Sequence, residues 1–261
     1  MANTVYPNIV LEAKAKDLLI TSLNTRTLMA VDNSLAESAG MKKVINTYTY
    51  EGTAEELATG AKNTNRGSIS YVPTEYEVKR VQQVFDYYDD DYMKDPTIVD
   101  NMLKGANQVM INKMTTDFTT EIQKATLGHE FTGNFGYEAV VDGISTLSLE
   151  DESQLFIVAP LSWKAQMRKD EDFKAARQGE VVYNGQTHVL SGIPVIFSKA
   201  LNEVNNAFIM TTEAVKLLMK KEVEVEQDRD KEAKLNTVIL STYYICALHD
   251  ATKICKLYKG A

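Results

Sequence analysis

The 261-residue chain has few of the residues that mark disulfide-rich, metal-binding or fibrous proteins. It contains 2 cysteines, 3 histidines, 5 prolines and 13 glycines, which excludes disulfide scaffolds, collagen-like repeats and low-complexity chains. It lacks an apolar run of about 18 residues, so no membrane span is expected. Its first residues lack the basic and apolar regions of a secretory signal. Hydrophobic residues make up 44% of the chain, which is enough for a sizeable core.

Positive charge is also scarce. The chain has 28 Lys and Arg against 36 Asp and Glu, a formal net charge of −8. This balance argues against tight nucleic-acid binding, which needs clustered Lys and Arg to neutralise phosphates. Cys246 and Cys255 lie in apolar stretches, so we expect two buried thiols, in a protein made in a reducing compartment, and not a disulfide.

Motifs for catalysis and metal binding are missing or incomplete. No phosphate-binding loop, dinucleotide fingerprint or serine-nucleophile motif is present. A zinc-helix motif begins at His129, but Gly133 stands where the second histidine belongs. Cys246, His249 and Cys255 would lack a fourth ligand. We therefore expect no enzyme activity, no cofactor and no metal site.

An acidic run at residues 86–92 is the remaining candidate for cation binding. It lacks the ligand spacing and the glycine of an EF-hand loop. A solvated acidic turn is the favoured interpretation.

The most regular pattern predicts a long helix over residues 97–127. Apolar residues recur there at three- and four-residue steps, after a Pro-Thr start and before Gly128. About 30 helical residues would span about 45 Å, which is typical of a spine element more than of a small globular domain.

Residues 44–85 predict a long two-stranded ribbon. Two segments rich in Thr, Tyr and Val flank a polar, small-residue tip. An isolated ribbon of this kind is only marginally stable in water. Another subunit is therefore expected to cover it.

The rest of the chain alternates between predicted strands and helices. The first part of this region predicts a strand at 154–159 ended by Pro160, a helix at 162–169 with Trp163 on its apolar side, and a hairpin over 181–190. An edge strand at 193–197 and a strand at 207–210 follow, and then a short helix capped by Thr211 or Thr212 that carries Ala214, Leu217 and Leu218. The last part predicts a half-exposed strand at 222–226, a charged turn at 228–234 and an apolar strand at 237–248.

Three short motifs, taken with the order of these elements, resemble the major capsid proteins of tailed bacteriophages. Residues 190–198 contain G-I-P-V-I-F-S, residues 223–230 read V-E-V-E-Q-D-R-D, and residues 156–163 read F-I-V-A-P-L-S-W. The resemblance extends over the chain from about residue 5.

The resemblance implies an α+β, HK97-type fold with an N-terminal arm, an extended loop, a spine helix and two domains. The implied boundaries are an arm at 1–43, an extended loop at 44–85, a peripheral domain at 86–135 and 219–248 with its spine helix at 97–127, and an axial domain at 136–218 and 249–261.

It also implies that the chain assembles with itself into pentamers and hexamers of an icosahedral head. Such a virion shell would be built in the host cytoplasm around double-stranded DNA, held non-specifically, with a portal. Because Met1 lies close to the arm, a separate scaffolding protein is expected. Lys62 at the loop tip is a candidate for cross-linking to a neighbouring subunit, although an ordinary exposed lysine is the favoured interpretation. Expected inter-subunit contacts are Tyr48, Tyr50, Lys62, Arg66, Tyr71, Tyr76 and Arg80.

Two alternatives remain open. The first is an encapsulin-type nanocompartment, which shares this fold but encloses cargo enzymes. The second is a soluble α/β enzyme, which would be a compact monomer or small oligomer with a polar pocket.

Overall fold

A computed structural model describes residues 11, 13–15, 26–36, 40–149, 151–169 and 189–260. Its helices are α1 (Asp89–Lys94), α2 (Ile98–Ile122), α3 (Tyr137–Leu147) and α4 (Lys164–Lys169). Its strands are β1 (Ala30–Asp32), β2 (Lys42–Glu51), β3 (Ser68–Glu77), β4 (Lys79–Tyr88), β5 (Leu127–Phe131), β6 (Leu155–Pro160), β7 (Val189–Leu190), β8 (Ile193–Ser198), β9 (Asn206–Thr211), β10 (Val215–Asp230), β11 (Leu235–Leu248) and β12 (Ile254–Lys259).

A four-stranded sheet, ordered β1-β10-β11-β4, packs against the long helix α2. Its centre is the antiparallel hairpin of β10 and β11, as the charged turn between two strands predicts. Helix α2 buries Leu103, Met110 and Phe118 against this sheet, and their spacing is the one that predicts the helix. The helix ends at Ile122 and not at residue 127, because Leu127 already pairs with β12 as the first residue of β5.

The helix predicted after Thr211 is wrong. Residues from Val215 onward form the 16-residue strand β10, with β1 on one side and β11 on the other. Leu217 packs in the α2 core, whereas Leu218 packs in a separate cluster on the opposite face. Neighbouring leucines that both find a core, on alternate faces, favour a strand buried on two sides over an amphipathic helix.

A second sheet of six strands, ordered β5-β12-β9-β6-β8-β7, carries α3 on its surface. Strand β6 is buried throughout and includes Pro160, where the sequence predicted its end. Strand β8 was predicted at an edge, but it lies second from the edge because the two-residue β7 pairs with its start, opposite Pro194. The predicted hairpin over 181–190 lies outside the described residues apart from β7.

Trp163 anchors the segment that follows β6. It lies in a 3-10 turn directly before α4, in the region predicted to be helical. Its side chain is 2% exposed, and its Nε1 donates to Oδ1 of Asn205 at 2.7 Å. The rings of Phe131 and Phe135 lie 5.4 Å and 5.2 Å from the Trp163 ring. This aromatic cluster connects β5, α4 and the loop before β9.

The acidic run at 86–92 is not the turn that the sequence predicts, although Asp86 and Asp90 are solvent-exposed as expected. It ends β4 and forms the start of α1. The Asp89 carboxylate accepts hydrogen bonds from Asn236 and Arg229, both at 2.7 Å. The hydrogen bond from Asn236, helped by the Arg229 guanidinium, lowers the pKa of Asp89. Asp89 therefore joins α1 to β10 and β11.

Gly143 allows α3 to approach the six-stranded sheet closely. A Cβ at this position would lie 2.6 Å from Cδ2 of Leu257 and 2.8 Å from Cδ1 of Ile209, both in the buried core. We expect Gly143→Ala to lower the free energy of unfolding by about 0.5–2 kcal/mol, because overpacking of about 1–3 kcal/mol exceeds the gain in helix propensity of about 1 kcal/mol. Urea denaturation of the unassembled chain measures this difference.

The matched control is Gly105→Ala on α2. Its Cβ would meet no atom within 4 Å. We expect this variant to be stabilised by about 0.5–1 kcal/mol, because only the helix propensity changes. A stabilised Gly143→Ala would contradict the close packing of α3 on the sheet.

Candidate inter-subunit surface

The ribbon predicted over 44–85 is present, but it is shorter. Strands β2 and β3 pair in register from Lys42 with Glu77 to Glu51 with Ser68. The chain then enters β4, which pairs with β11 in the four-stranded sheet instead of continuing the ribbon. The break falls at Val78, which is 9% exposed and turns into the core. Strand-like composition alone does not show which partner a strand will take.

One face of the ribbon carries exposed apolar and aromatic side chains. In an antiparallel pair, residues directly opposite each other share a face, so Val44, Tyr50, Ile69 and Tyr71 lie on the same side. They are between 51% and 65% exposed. We call these four residues the aromatic face. Exposed apolar side chains grouped on one face make this face a candidate for protein–protein contact.

The tip of the ribbon, residues 52–67, is exposed at every position. Within it the Asn63 side chain accepts a hydrogen bond from the Asn65 amide at 2.7 Å. At the base of the tip, the Tyr50 ring lies against Gly67, where a Cβ would meet the Tyr50 hydroxyl at 2.1 Å. The tip thus presents its basic side chains, Lys62 and Arg66, to solvent.

The structure distributes the seven expected contact residues over three places. Four of them are exposed on the ribbon, namely Tyr50, Lys62, Arg66 and Tyr71. Tyr48 also lies on the ribbon and pairs through its backbone with Tyr71, but its side chain is outside what the structure describes. Tyr76 is half-buried at the ribbon base, and Arg80 is exposed on β4. Sequence reasoning missed Val44 and Ile69 on the aromatic face. The alternation of Ile69 and Tyr71 with Ser68 and Ser70 was the signal that could have found Ile69, whereas Val44, between Lys43 and Ile45, carries no such signal.

A buried carboxylate on α2 lies beside the start of β4, the strand that follows the ribbon. Asp117 of α2 is 4% exposed. Its Oδ1 accepts hydrogen bonds from Lys113 at 2.9 Å and Lys79 at 3.3 Å, and its Oδ2 accepts one from the Tyr244 hydroxyl at 2.9 Å. Burial raises the pKa of Asp117, but the two ammonium groups and the phenol outweigh it, so the net shift is downward from 3.8. Burial and the nearby Asp117 carboxylate raise the pKa of Tyr244.

This lowered pKa makes the fold sensitive to acid. Asp117 stabilises the folded chain while it is ionised, and the contribution disappears as the pH falls below about 3.8 through the folded value. We expect Asp117→Asn to lower the free energy of unfolding at pH 7 by about 1–3 kcal/mol. The deficit should shrink as the pH is lowered from 7 to below about 3.8, because the carboxylate is then progressively protonated. Urea denaturation across this pH range tests it, and a deficit independent of pH would contradict the ionised network.

The described histidines and cysteines are the remaining candidates for a metal site. The Cys246, His249 and Cys255 side chains are not part of a metal-holding cluster, since no such group of His, Cys, Asp or Glu occurs in the described part of the chain. Both cysteines are buried free thiols, as predicted, and burial raises the pKa of Cys255 to about 11. Burial lowers the pKa of His249. His129 lies 3.7 Å from the Asp142 carboxylate.

None of the described helices has the length and apolar character needed to cross a bilayer.

The fold matches solved capsid and shell structures over almost its whole length. The capsid of an empty GTA particle aligns with a TM-score of 0.72 at 12% identity, covering 92% of this chain and 90% of that one. A virus-like particle from Pyrococcus furiosus aligns with a TM-score of 0.67 at 10% identity, covering 97% and 100%. The chain therefore has the HK97-type capsid fold, as its sequence predicts.

A sequence comparison finds a relative that matches this chain over its full length. The major capsid protein of Staphylococcus phage phiMR11 is 21% identical over 269 residues, covering 100% of this chain and 95% of that protein. No family model matches the chain. The resemblance to tailed-phage major capsid proteins is thus confirmed by a full-length relative as well as by the fold.

Proposed function

We propose that the chain is a major capsid protein that assembles with itself into the shell of a phage head. The single observation that carries the proposal is the ribbon on the HK97-type fold, whose aromatic face is exposed in the isolated subunit. A monomer gains nothing from holding four large apolar side chains in water on a two-stranded ribbon. A neighbouring copy that covers them would explain both the sequence and the geometry.

Symmetry turns this one contact into a shell. When a surface of one subunit binds a different surface of the next, the subunits form a closed ring if the rotation between neighbours divides a full turn evenly. Pentamers and hexamers are such rings. Many weak contacts per subunit add up through multivalency. We propose Tyr48, Tyr50, Lys62, Arg66 and Tyr71 of the ribbon as contacts, together with Tyr76 and Arg80 beside its base.

The domain division proposed for the shell follows the two sheets. The four-stranded sheet with α2 corresponds to a peripheral domain, and the six-stranded sheet with α3 corresponds to an axial domain. The arm implied at residues 1–43 would end before Lys42, because Lys42 and Lys43 already belong to β2. The ribbon, as the structure bounds it, would serve as the extended loop.

The proposed content of the shell is double-stranded DNA. The chain's net charge of −8 suits a wall that holds DNA without binding it tightly, because dense basic patches would resist its release. A scaffolding protein and a portal are the further proposed partners. The virion is the proposed location, after assembly in the host cytoplasm, and no catalytic role is proposed.

An encapsulin-type nanocompartment is the second candidate function. The observation that favours it is the alignment with the Pyrococcus furiosus virus-like particle, which covers all of that chain. In this case the shell would hold cargo proteins and no genome.

The content of native particles separates the two functions. Particles purified from the cells that produce this chain are treated with nuclease and then opened with denaturant. A phage head releases protected double-stranded DNA of uniform length, together with portal and tail proteins. A nanocompartment releases one or a few cargo proteins and no protected genome, which would overturn the phage assignment.

A further inference from the structure

The base of the ribbon is fixed on the face of the four-stranded sheet that points away from α2. Val78, the one residue between β3 and β4, donates its amide hydrogen to the Met41 carbonyl at 2.8 Å. The side chains of Ile45 and Val78 pack there with Ile245 and Leu218. This apolar cluster holds the ribbon against the sheet, but dispersion contacts are not directional and set its angle only loosely.

A second set of contacts reaches the ribbon base from α2. Lys79, the first residue after Val78, places its Nζ 3.3 Å from Oδ1 of Asp117. The Asp117 side chain is 5% exposed, and the Tyr244 hydroxyl holds its other oxygen at 2.9 Å. The carboxylate therefore links α2, β11 and the residue at which the ribbon enters the sheet. Charge-assisted hydrogen bonds are directional as well as strong.

The next helical turn of α2 repeats the arrangement. Glu121, four residues after Asp117 and on the same helix face, binds Lys124 at 2.7 Å. The Lys124 Nζ in turn lies 5.4 Å from the centroid of the Tyr76 ring, a cation–π distance. Helix α2 and the turn that follows it thus contact Lys79 on one side of the Val78 break and Tyr76 on the other.

We propose that Lys79 and Asp117 form a latch that sets the direction of the ribbon relative to α2. The 10-residue strands of the ribbon reach about 33 Å at about 3.3 Å per residue. A rotation of about 5° at the base moves the far end by about 3 Å, which is enough to lose van der Waals contact with a partner. Lys79 and Asp117 are thus positioning residues for the aromatic face. Their use in assembly rests on the proposed function, whereas the latch is a property of one subunit.

Spin-label distance measurements on the unassembled chain test the latch. Labels on Ser70→Cys in the ribbon and Lys104→Cys on α2 occupy exposed positions, whereas the native Cys246 and Cys255 are buried and react poorly. We expect Lys79→Met to broaden the Ser70–Lys104 distance distribution at least about twofold, because the directional contact is lost. The Lys79 side chain is 57% exposed, so this variant is expected to fold.

Lys113→Met is the matched control. Lys113 donates to the same Asp117 oxygen at 2.9 Å, but it lies on α2 itself, so its removal leaves the contact between Lys79 and Asp117 in place. We expect the native distribution width in this variant. If the distance distribution broadens equally in both variants, Asp117 stabilises the fold in general and does not set the ribbon's direction. If Lys79→Met keeps the native width, the apolar cluster alone sets the ribbon's direction. Either result overturns the latch.

Failure of the proposed function has a different signature. The distance distributions are recorded on single subunits and do not depend on whether particles form. A native chain that never assembles would contradict the capsid proposal, while the comparison of Lys79→Met with Lys113→Met would still decide the latch.

Discussion

Replacing Ile69 and Tyr71 together with aspartate is expected to reduce the yield of assembled particles at least about tenfold. Both side chains lie on the aromatic face and are more than half exposed in the single subunit. Burying each against a neighbour would contribute about 1.5–3 kcal/mol, and a buried unpaired carboxylate adds a penalty of its own. Because a factor of ten corresponds to about 1.4 kcal/mol, this loss is large at every contact. Sedimentation velocity measures the assembled fraction.

The same double variant should leave the subunit intact. Exposed positions outside the core usually change the free energy of unfolding by less than about 0.5 kcal/mol each. Ser70→Asp is the control, because Ser70 lies between the two residues on the opposite face of the same strand. We expect it to assemble within about twofold of the native yield. If Ser70→Asp blocks assembly and the double variant does not, the contact face has been assigned the wrong way round.

Trp163→Ala is expected to lower the free energy of unfolding by about 3–5 kcal/mol, the usual cost of truncating a large buried aromatic side chain. Trp163 is 2% exposed and contacts both Phe131 and Phe135. Its removal leaves a cavity where three segments meet, and the side-chain oxygen Oδ1 of Asn205 loses its donor. Chemical denaturation of the unassembled chain measures the change.

Trp163→Phe separates packing from hydrogen bonding at this position. It keeps a ring in the cluster but removes the indole nitrogen that donates to Asn205. We expect a loss of about 1–3 kcal/mol, from the missing hydrogen bond and the smaller ring. A loss below about 1 kcal/mol in Trp163→Ala would contradict a close-packed aromatic cluster.

Helices and strands whose apolar residues recur with a regular spacing could be predicted from the sequence. The stripe that runs through Leu103, Met110 and Phe118 identified α2, since only a helix places residues at these steps on one face. The alternation around Val223 and Val225, followed by a charged turn, identified the β10–β11 hairpin. The ribbon was predicted from Thr- and Tyr-rich segments that had no core of their own to cover.

The errors come from contacts between distant parts of the chain. Leu217 and Leu218 looked like one face of a short helix, because the sequence does not show that β1 and β11 flank them. Asp89 looked solvated, because its partners Arg229 and Asn236 lie about 140 residues away. The link between Lys79 and Asp117 spans 38 residues and two elements. Tertiary contacts of this kind override local propensity.

Sedimentation velocity of the purified chain, with and without the proposed scaffolding protein, tests most directly whether the ribbon belongs to an assembling subunit. The account predicts closed shells, or rings with five or six times the 29.2 kDa subunit mass, whose form electron microscopy then shows. A compact monomer at every concentration and salt condition, even with the scaffold supplied, would contradict it.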